Sequence, residues 1–449
     1  MQAHAVKVAV VGAGITGLAA GYEAAQAGAE VVVYEATKRA GGRLLTTELA
    51  GQPVDEGADS FLARVPWATK LCQDLGLEAE IVTPAQQTAF VYSRGALRAL
   101  PQPNVLGVPL DFDALAVSGI ISSDGVHRAC QEPDLAGSPL IGDESIGKLI
   151  RKRLGDELAD QLVDPLIGGI NASSIDHLSI WAAAPQLAEA ASRGHSLVRE
   201  LRRLAASSTT NPAQPVFFSL RNGLGRLTDE LANRLGDRLH LLSPVIKLND
   251  LDADRVILAL PSDTTSTLVT PVSTTAADLL RRIDYASVAL VSLAFDASKV
   301  NHPMAGSGYL VPATEGLTIT ACSWASSKWS HIGSANTVVM RVSTGRYTDD
   351  RAMLMDDDDL LAAIQADLAT TMGLDVKPHT MRFSRWKRSL PQYRPGHLEL
   401  IADIEQTLAR DVPWLQVTGG WARGLGVATC IHQGQQAARA SMSQNKLAR

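Results

Sequence analysis

The sequence lacks the features that mark membrane-spanning, secreted and nucleic-acid-binding proteins. No uninterrupted apolar run approaches the ~18 residues that a membrane-spanning helix needs. Only four cysteines occur in 449 residues, without a CxxC pair, which favours free thiols over disulfides or a metal site. The formal net charge of −6 gives no basic excess of the kind that nucleic-acid binding requires. The first predicted strand leaves no room for a cleaved signal, so we expect a cytoplasmic protein.

What the sequence does have is length and an ordinary globular composition. It is 46% hydrophobic and 20% charged, and it is too long for one simple core, so two or three domains are expected. Segments typical of a nucleotide-binding unit occur at the start, near residues 216–261 and near residues 415–440. We therefore predict a dinucleotide-binding domain assembled from separated pieces, with other domains inserted between them.

The first of these segments, residues 8–35, reads as strand, glycine turn, helix, strand and acid. Gly12, Gly14 and Gly17 have the G-x-G-x-x-G spacing. The first glycine permits a tight turn, the second lets the backbone approach a pyrophosphate, and the third lets helix and strand pack closely. Glu35 can accept hydrogen bonds from ribose hydroxyls and disfavours a 2′-phosphate, and therefore NADP.

Three further stretches favour FAD over NAD. Gly41, Gly42 and Arg43 could bring backbone and a cation towards the pyrophosphate, which simple NAD-binding units do not need. The turn DEGADSF, which contains Gly57, could pass close to a flat ring. Near the end, GGWARGLGVATCIHQG leads into a helix whose N-terminal amides would stabilise negative charge on an isoalloxazine.

These motifs resemble those of the porphyrinogen-oxidising flavoenzymes, the protoporphyrinogen oxidase family within the amine-oxidase-like flavoproteins. The similar stretches keep their order through nearly the whole chain and include DEGADSFLAR, VDPLIGGINAS, SSKW, WKRSLPQYRPGHLELIADIE and WARGLGVATCIHQG. The G-x-G-x-x-G and GGR motifs are shared across the superfamily, whereas DPLIGGI, SSKW and LPQYRPGH are more specific. The most similar branch is the soluble bacterial one that oxidises coproporphyrinogen III.

The resemblance implies non-covalently held FAD, with Cys430 a buried thiol rather than a flavin linkage. It implies an α/β and α+β chain with a Rossmann-like FAD-binding domain assembled from discontinuous segments, an inserted mixed-sheet substrate domain and a helical domain. The expected division is 1–65, 214–265 and 400–449 for the FAD-binding domain, 66–100 and 266–399 for the substrate-binding domain, and 101–213 for the helical insert. The residues expected to contact FAD are Gly12, Ala13, Gly14, Ile15, Thr16, Gly17, Glu35, Ala36, Gly42, Arg43, Gly57, Ala58, Asp59, Ser60, Val245, Trp386, Gly424, Leu425, Gly426 and Val427.

The activity implied by the resemblance is the oxygen-dependent conversion of coproporphyrinogen III to coproporphyrin III, with release of hydrogen peroxide, in haem biosynthesis. Arg64 and Lys328 are the candidate cations for the substrate carboxylates. Asn171 is a candidate pocket residue at a position where the family pattern has Tyr. Val65 also departs from the pattern, because many soluble relatives have a basic residue there. No histidine stands out as a general base.

Several alternatives stay open. The substrate could be protoporphyrinogen IX, or the chain could be an amine oxidase or desaturase on the same scaffold. The departures at Asn171 and Val65 also leave open a non-catalytic protein that holds FAD or porphyrin. We expect porphyrinogen and dioxygen as partners, other haem-pathway enzymes as further candidates, and no nucleic acid. Residues 151–153 form a basic run that could touch a membrane surface, although a solvated helix face is favoured.

Overall fold

The computed structural model describes residues 5–135, 138–207 and 215–443. The predicted domain boundary at residues 213–214, and the chain ends at residues 1–4 and 444–449, lie outside the described residues. The division into domains by residue number therefore stays a prediction.

The secondary structure alternates between strands and helices along the chain. The strands are β1 (Lys7–Val11), β2 (Glu30–Tyr34), β3 (Thr46–Leu49), β4 (Gln52–Asp55), β5 (Phe61–Leu62), β6 (Ile81–Val82), β7 (Ala89–Ser93), β8 (Ala96–Ala99), β9 (Asn104–Val105), β10 (Val108–Pro109), β11 (Phe217–Leu220), β12 (Leu239–His240), β13 (Arg255–Leu258), β14 (Tyr285–Asp296), β15 (Gly308–Leu310), β16 (Ile319–Ser323), β17 (Thr337–Thr344), β18 (Thr380–Pro391) and β19 (Leu415–Val417). The helices are α1 (Ile15–Gln26), α2 (Pro66–Asp74), α3 (Phe112–Ser118), α4 (Ser123–Cys130), α5 (Ile146–Leu154), α6 (Asp156–Leu158), α7 (Gly169–Asn171), α8 (Ile180–Ala183), α9 (Pro185–Arg193), α10 (Leu197–Ser207), α11 (Gly225–Leu235), α12 (Ser262–Val269), α13 (Thr274–Arg281), α14 (Ala325–Lys328), α15 (Arg351–Leu354), α16 (Asp357–Met372), α17 (His397–Asp411), α18 (Gly420–Arg423) and α19 (Val427–Ser443).

A parallel sheet forms the nucleotide-binding part, in the order β12–β2–β1–β13–β19. Its strands come from the beginning, the middle and the end of the chain. Side chains of β1 alternate between two cores, because successive residues of a strand point to opposite faces. Val8 and Val10 pack with α1, α11 and α19, whereas Ala9 and Val11 pack with α12, α13 and α17. The predicted Rossmann-like domain of discontinuous segments is confirmed.

A mixed sheet forms a second layer, in the order β18–β14–β17–β16–β15–β7–β8. Its neighbouring strands run antiparallel except for the parallel pair of β15 and β7. Helix α16 covers its apolar core, to which Phe295, Tyr309 and Trp324 contribute. Asp356 caps this helix, because its carboxylate accepts the Asp359 N–H over 2.9 Å.

Helices α3 to α10 surround a separate aliphatic core and form the helical part. The apolar spacing of residues 145–163 is typical of one continuous helix, but α5 ends at Leu154, and Gly155 follows it with a φ of 96°. The chain then continues through α6 into a π-helical segment, Ala159–Gly168, which contains Pro165. Proline has no backbone N–H to donate, so a regular α-helical ladder cannot run through this position.

The basic run in α5 is engaged by the protein itself. Arg151 pairs with Asp160 at 2.6 Å and with Asp176 at 2.9 Å. Arg153 is buried, and its guanidinium donates to the carbonyl of Ser138 over 2.7 Å. A solvated helix face is therefore the wrong prediction for Arg153. Within the part of the chain that the structure describes, no helix is long and apolar enough to cross a membrane.

Candidate active site

The three glycines of the first turn serve two different needs. A Cβ on Gly12 would lie 2.6 Å from the carbonyl oxygen of Ala259, and a Cβ on Gly17 would lie 1.8 Å from the oxygen of Gly12. These two positions therefore require glycine for the protein's own packing. A Cβ on Gly14 would meet no heavy atom of the protein within 4 Å. Gly14 precedes α1, whose first turn has no side-chain cap, so no side chain satisfies the amides at the positive end of the helix dipole.

The second glycine motif lies directly against the first. The Gly41 N–H donates to the Ala13 carbonyl over 2.7 Å, and Gly14 and Gly41 pair as a parallel bridge. A Cβ on Gly42 would lie 3.0 Å from the Cα of Gly14. The structure therefore brings together two stretches that the sequence analysis linked only by their glycines.

Arg43 supplies a free cation beside these turns. Its side chain keeps an exposed surface, yet it is surrounded by enough protein for burial to lower its pKa. Both observations fit a guanidinium that lines an open cleft. Tyr285, Tyr393 and Cys430 are near enough to act on its pKa in the opposite direction and raise it. Across the described ranges, 5–135, 138–207 and 215–443, the Arg43 guanidinium has no hydrogen-bond or ion-pair partner.

Glu35 and its surroundings lie on the other side of the glycine turn. Its carboxylate accepts the Ala13 N–H over 2.9 Å. The loop after β12 runs alongside, because the Ser243 N–H donates to the Glu35 carbonyl over 2.8 Å. This loop carries Val245, which is half-buried, and Ala36 beside Glu35 is exposed. The candidates for the adenosine end of FAD therefore share one edge of the parallel sheet.

The turn that contains Gly57 approaches the same cleft. A Cβ on Gly57 would lie 2.3 Å from the carbonyl oxygen of Arg43. Trp386, from β18, donates its indole N–H to the Glu56 carbonyl over 2.6 Å. Ala58 is exposed, and Ser60 donates to the Asp59 carboxylate over 3.0 Å.

Residues 424–426 link α18 to α19, which begins at Val427 close to the first glycine turn. Helices α19 and α1 are in close contact, since a Cβ on Gly434 would lie 2.1 Å from the carbonyl oxygen of Thr16. Gln433 donates to the Gly424 carbonyl over 2.9 Å, and Leu425, Gly426 and Val427 follow. Burial raises the pKa of Cys430 to about 11, so its sulfur stays a thiol at neutral pH.

The sequence analysis missed two residues that hold α18, the short helix before this loop. Tyr393 donates its hydroxyl to the Gly420 carbonyl, and the Nε2 of His397 lies 2.9 Å from the Ala422 carbonyl oxygen. Burial lowers the pKa of His397. Both belong to the motif LPQYRPGH, which served only as a marker of the family. That motif was the available signal, because it offers a hydroxyl and an imidazole in one short stretch.

The three substrate candidates do not form one cluster. Arg64 is exposed, and its guanidinium lies 2.7 and 2.9 Å from the Gln186 amide oxygen when that amide is oriented to pair donor with acceptor. Asn171 is buried and donates to the Ile167 carbonyl over 2.9 Å. Lys328 pairs with Asp59 at 3.0 Å. Among the described residues, no hydrogen bond or ion pair joins these three candidates to one another.

This geometry can be compared with known proteins. The profile of the family described as flavin containing amine oxidoreductase matches residues 15–441. The chain belongs to this family. As a member of it, the chain is a flavin-dependent oxidoreductase, and its cofactor is FAD, as predicted. The open face at Gly14, the uncapped α1 and the unpaired Arg43 fit the two phosphates of that group.

Individual relatives of this flavin oxidoreductase match it almost from end to end. It is 30% identical over 455 residues to the coproporphyrinogen III oxidase of Bacillus subtilis (strain 168), with 96% of each chain covered. It is 33% identical over 438 residues to the coproporphyrinogen III oxidase of Mycobacterium bovis, with 94% of each chain covered. A crystal structure from Exiguobacterium sp. 255-15, provisionally assigned as a protoporphyrinogen oxidase, superposes with a TM-score of 0.88 at 27% identity and covers 98% of this chain and 99% of its own.

Proposed function

We propose that this flavin oxidoreductase converts coproporphyrinogen III to coproporphyrin III with dioxygen and releases hydrogen peroxide, as a step of haem biosynthesis. The observation that carries the proposal is the match with coproporphyrinogen III oxidases over 94–96% of both chains. A match of this extent includes the inserted parts of the chain as well as the nucleotide-binding part. The inserted parts are where relatives on one scaffold differ in substrate.

The residues around the cleft would hold the cofactor and exclude water. We propose that the backbone of residues 12–17 and the Arg43 guanidinium bind the pyrophosphate, and that Glu35 binds the ribose. The N-terminal amides of α19 would face the flavin, where aligned dipoles stabilise developing negative charge. FAD is held without a covalent bond in this proposal, in keeping with a protonated Cys430. Bound FAD supplies a two-electron acceptor that dioxygen reoxidises.

The substrate carboxylates need cations at the mouth of the pocket. Arg64 is the candidate that its exposure favours, because its guanidinium can pair with a carboxylate in two-point geometry. Lys328 is a weaker candidate, because Asp59 already neutralises it. Asn171 would border the pocket through its position at the end of α7. No residue is assigned as a general base, since the buried His397 is already engaged by a carbonyl.

The test offers the purified, FAD-loaded protein each of two porphyrinogens. Without oxygen, coproporphyrinogen III should bleach the flavin absorbance. In air, porphyrin fluorescence should rise with oxygen consumption, over three rounds of oxidation for each macrocycle. Failure of both porphyrinogens to reduce the flavin would refute the assignment as a porphyrinogen oxidase.

Protoporphyrinogen IX is the second candidate substrate, favoured by the similarity to the Exiguobacterium structure. The same assay decides between the two, because specificity is the ratio of the kcat/KM values. A higher kcat/KM for protoporphyrinogen IX would overturn only the choice of substrate. Reduction of the flavin by an amine alone would favour an amine oxidase, and no reduction by any of these would leave a non-catalytic FAD or porphyrin carrier.

We also propose a cytoplasmic location and contact with other enzymes of the haem pathway. The four cysteines are free thiols, three of them buried, as expected in a reducing compartment. A weak peripheral contact with membranes is part of the same proposal, although Arg151 and Arg153 are engaged within the protein. Cell fractionation and co-purification of the tagged full-length chain test these points, and recovery of the chain in an oxidising compartment would contradict the location.

A further inference from the structure

A buried ionic cluster joins the Gly57 turn to the mixed sheet. One carboxylate oxygen of Asp59 lies 3.0 Å from Lys328 Nζ and 3.1 Å from a guanidinium nitrogen of Arg341. The indole N–H of Trp329 donates to the same oxygen over 3.2 Å. The side chains of Asp59, Lys328 and Arg341 are only 16%, 15% and 7% exposed, so water screens these charges poorly.

The cluster also fixes the backbone of the turn. Arg341 donates a second hydrogen bond to the Gly57 carbonyl, and the Ser219 hydroxyl donates to the Asp59 carbonyl over 2.6 Å. The turn is therefore attached at both ends, by its carbonyls and by a charged side chain.

The partners of Asp59 belong to the regular part of the mixed sheet. Arg341 lies within β17, opposite Ser292 of β14 and Ser323 of β16. Lys328 ends α14, the short helix that follows β16, and the next residue is the buried Trp329. A central strand and its adjoining helix move little, so they are suited to set the position of a turn that is not itself part of a sheet.

We propose that Asp59 is a positioning residue, and that Lys328 and Arg341 clamp the backbone of residues 57–60 against the cleft through it. The proposal rests on the proposed flavin site, because the clamped turn is the one expected to contact FAD. It assigns Lys328 to the protein's own carboxylate instead of the substrate, and it adds Arg341, which the sequence analysis did not single out.

The charge state of Asp59 agrees with this role. Burial raises the pKa of the carboxyl, but the charges of Lys328 and Arg341 and the hydrogen bonds from Lys328 and Trp329 lower it by more. The net pKa lies well below the usual range, so the carboxylate stays ionised throughout the pH range of any activity assay. The clamp is therefore always charged and does not act as a pH switch.

The experiment compares Asp59→Asn with the control Glu132→Gln. Glu132 is a fully buried carboxylate in the helical part, 3.9 Å from Arg153, and it lies far along the chain from the cleft residues. Both variants should lower the stability of the apoprotein. Only Asp59→Asn should weaken FAD binding, by roughly tenfold or more, because it leaves two buried cations without their shared counter-charge. It should also change the midpoint potential and the visible spectrum of the bound flavin.

Two further variants protect the test against misfolding of Asp59→Asn. Lys328→Met removes one cation but keeps the pair of Asp59 and Arg341, so its effect on the Kd for FAD should be smaller. The double variant combines Asp59→Asn with Lys328→Met. Its loss of FAD affinity should be smaller than the sum of the losses in the two single variants, because it no longer contains an unpaired lysine.

The outcomes separate the clamp from the function on which it rests. Additive losses of FAD affinity in the double variant would overturn the clamp alone. So would an Asp59→Asn variant whose Kd for FAD is within twofold of the wild-type value and whose midpoint potential is unchanged. Failure of the wild-type chain to take up FAD would overturn the proposed flavin site and the clamp with it.

Discussion

The backbone N–H of Ala13 donates to Oε2 of Glu35 over 2.9 Å, which ties the end of β2 to the glycine turn after β1. The other oxygen, Oε1, accepts the N–H and the hydroxyl of Thr37 over 2.9 and 2.8 Å. Glu35 therefore shapes the turn that it borders. A carboxylate oxygen can accept more than one hydrogen bond, so capacity remains for a ribose hydroxyl.

We expect Glu35→Gln to weaken FAD binding by about tenfold or more. The amide replaces one acceptor oxygen by a donor, and a hydrogen bond to a charged group contributes about 1.5–3 kcal/mol. Titration of the apoprotein with FAD, followed by flavin fluorescence, measures the change. Glu30→Gln is the matched control, because Glu30 begins β2, the strand that Glu35 follows, but is exposed. Equal effects of the two variants would show that Glu35 acts only through the net charge.

Alanine substitutions should separate the two roles of the glycines. Gly14→Ala should leave the apoprotein about as stable as the wild type, because its Cβ meets no protein atom and its φ of −70° suits any residue. It should nevertheless lose FAD affinity, because the new methyl group occupies the space that the pyrophosphate needs.

Gly17→Ala provides the contrast, because its Cβ would overlap the carbonyl of Gly12. This variant should unfold at a lower temperature even without FAD. Thermal melts of both apoproteins and FAD titrations of the folded ones test the pair. Normal FAD affinity in Gly14→Ala would refute the predicted position of the pyrophosphate.

Asp55 should make the stability of the protein depend on pH. Burial raises its pKa to about 6, although Thr46, Arg341 and the Leu224 N–H act in the opposite direction. The folded state therefore binds the proton more tightly than the unfolded chain, whose aspartates titrate near pH ~4. Its ionisation thus costs stability progressively as the pH rises from about 4 to about 6, and the cost is constant above that range.

Asp55→Asn removes this titration but keeps an Oδ1 that can accept from Thr46 and Leu224. We expect the free energy of unfolding of this variant, relative to the wild type, to rise by about 1 kcal/mol between pH 5 and pH ~7.5. Urea unfolding of the apoprotein at both pH values measures it. A difference that is the same at both values would show that Asp55 titrates normally.

The sequence predicted the fold class, the cofactor and the approach of the glycine motifs. The glycine motif could be recognised because backbone contacts require glycine at Gly12 and at Gly17. These requirements fix the spacing of the glycines in the sequence. Three strands of the parallel sheet, β1, β2 and β13, were equally predictable, since each is mainly a short apolar run.

The sequence did not predict which side chains far apart in the chain pair with each other. Arg341 lies in the largely apolar strand β17, and nothing in the sequence of that strand shows that its partner is Asp59, far back in the chain. Arg153 appeared to belong to a solvated basic run, whereas three-dimensional packing buries it against carbonyl groups. The π-helical turn around Pro165 also escaped, because its apolar residues repeat much as they would in an α-helix.

The close contact of α1 with α19 has a consequence for how the protein is made. Thr16 belongs to the first helix of the described residues, and Gly434, which packs against it, belongs to the last. A nascent chain on the ribosome displays the glycine turn long before the helix that completes the cleft exists. The cleft is therefore completed only when α19 has packed against α1, and we expect FAD to bind tightly only to a chain in which these two helices have met.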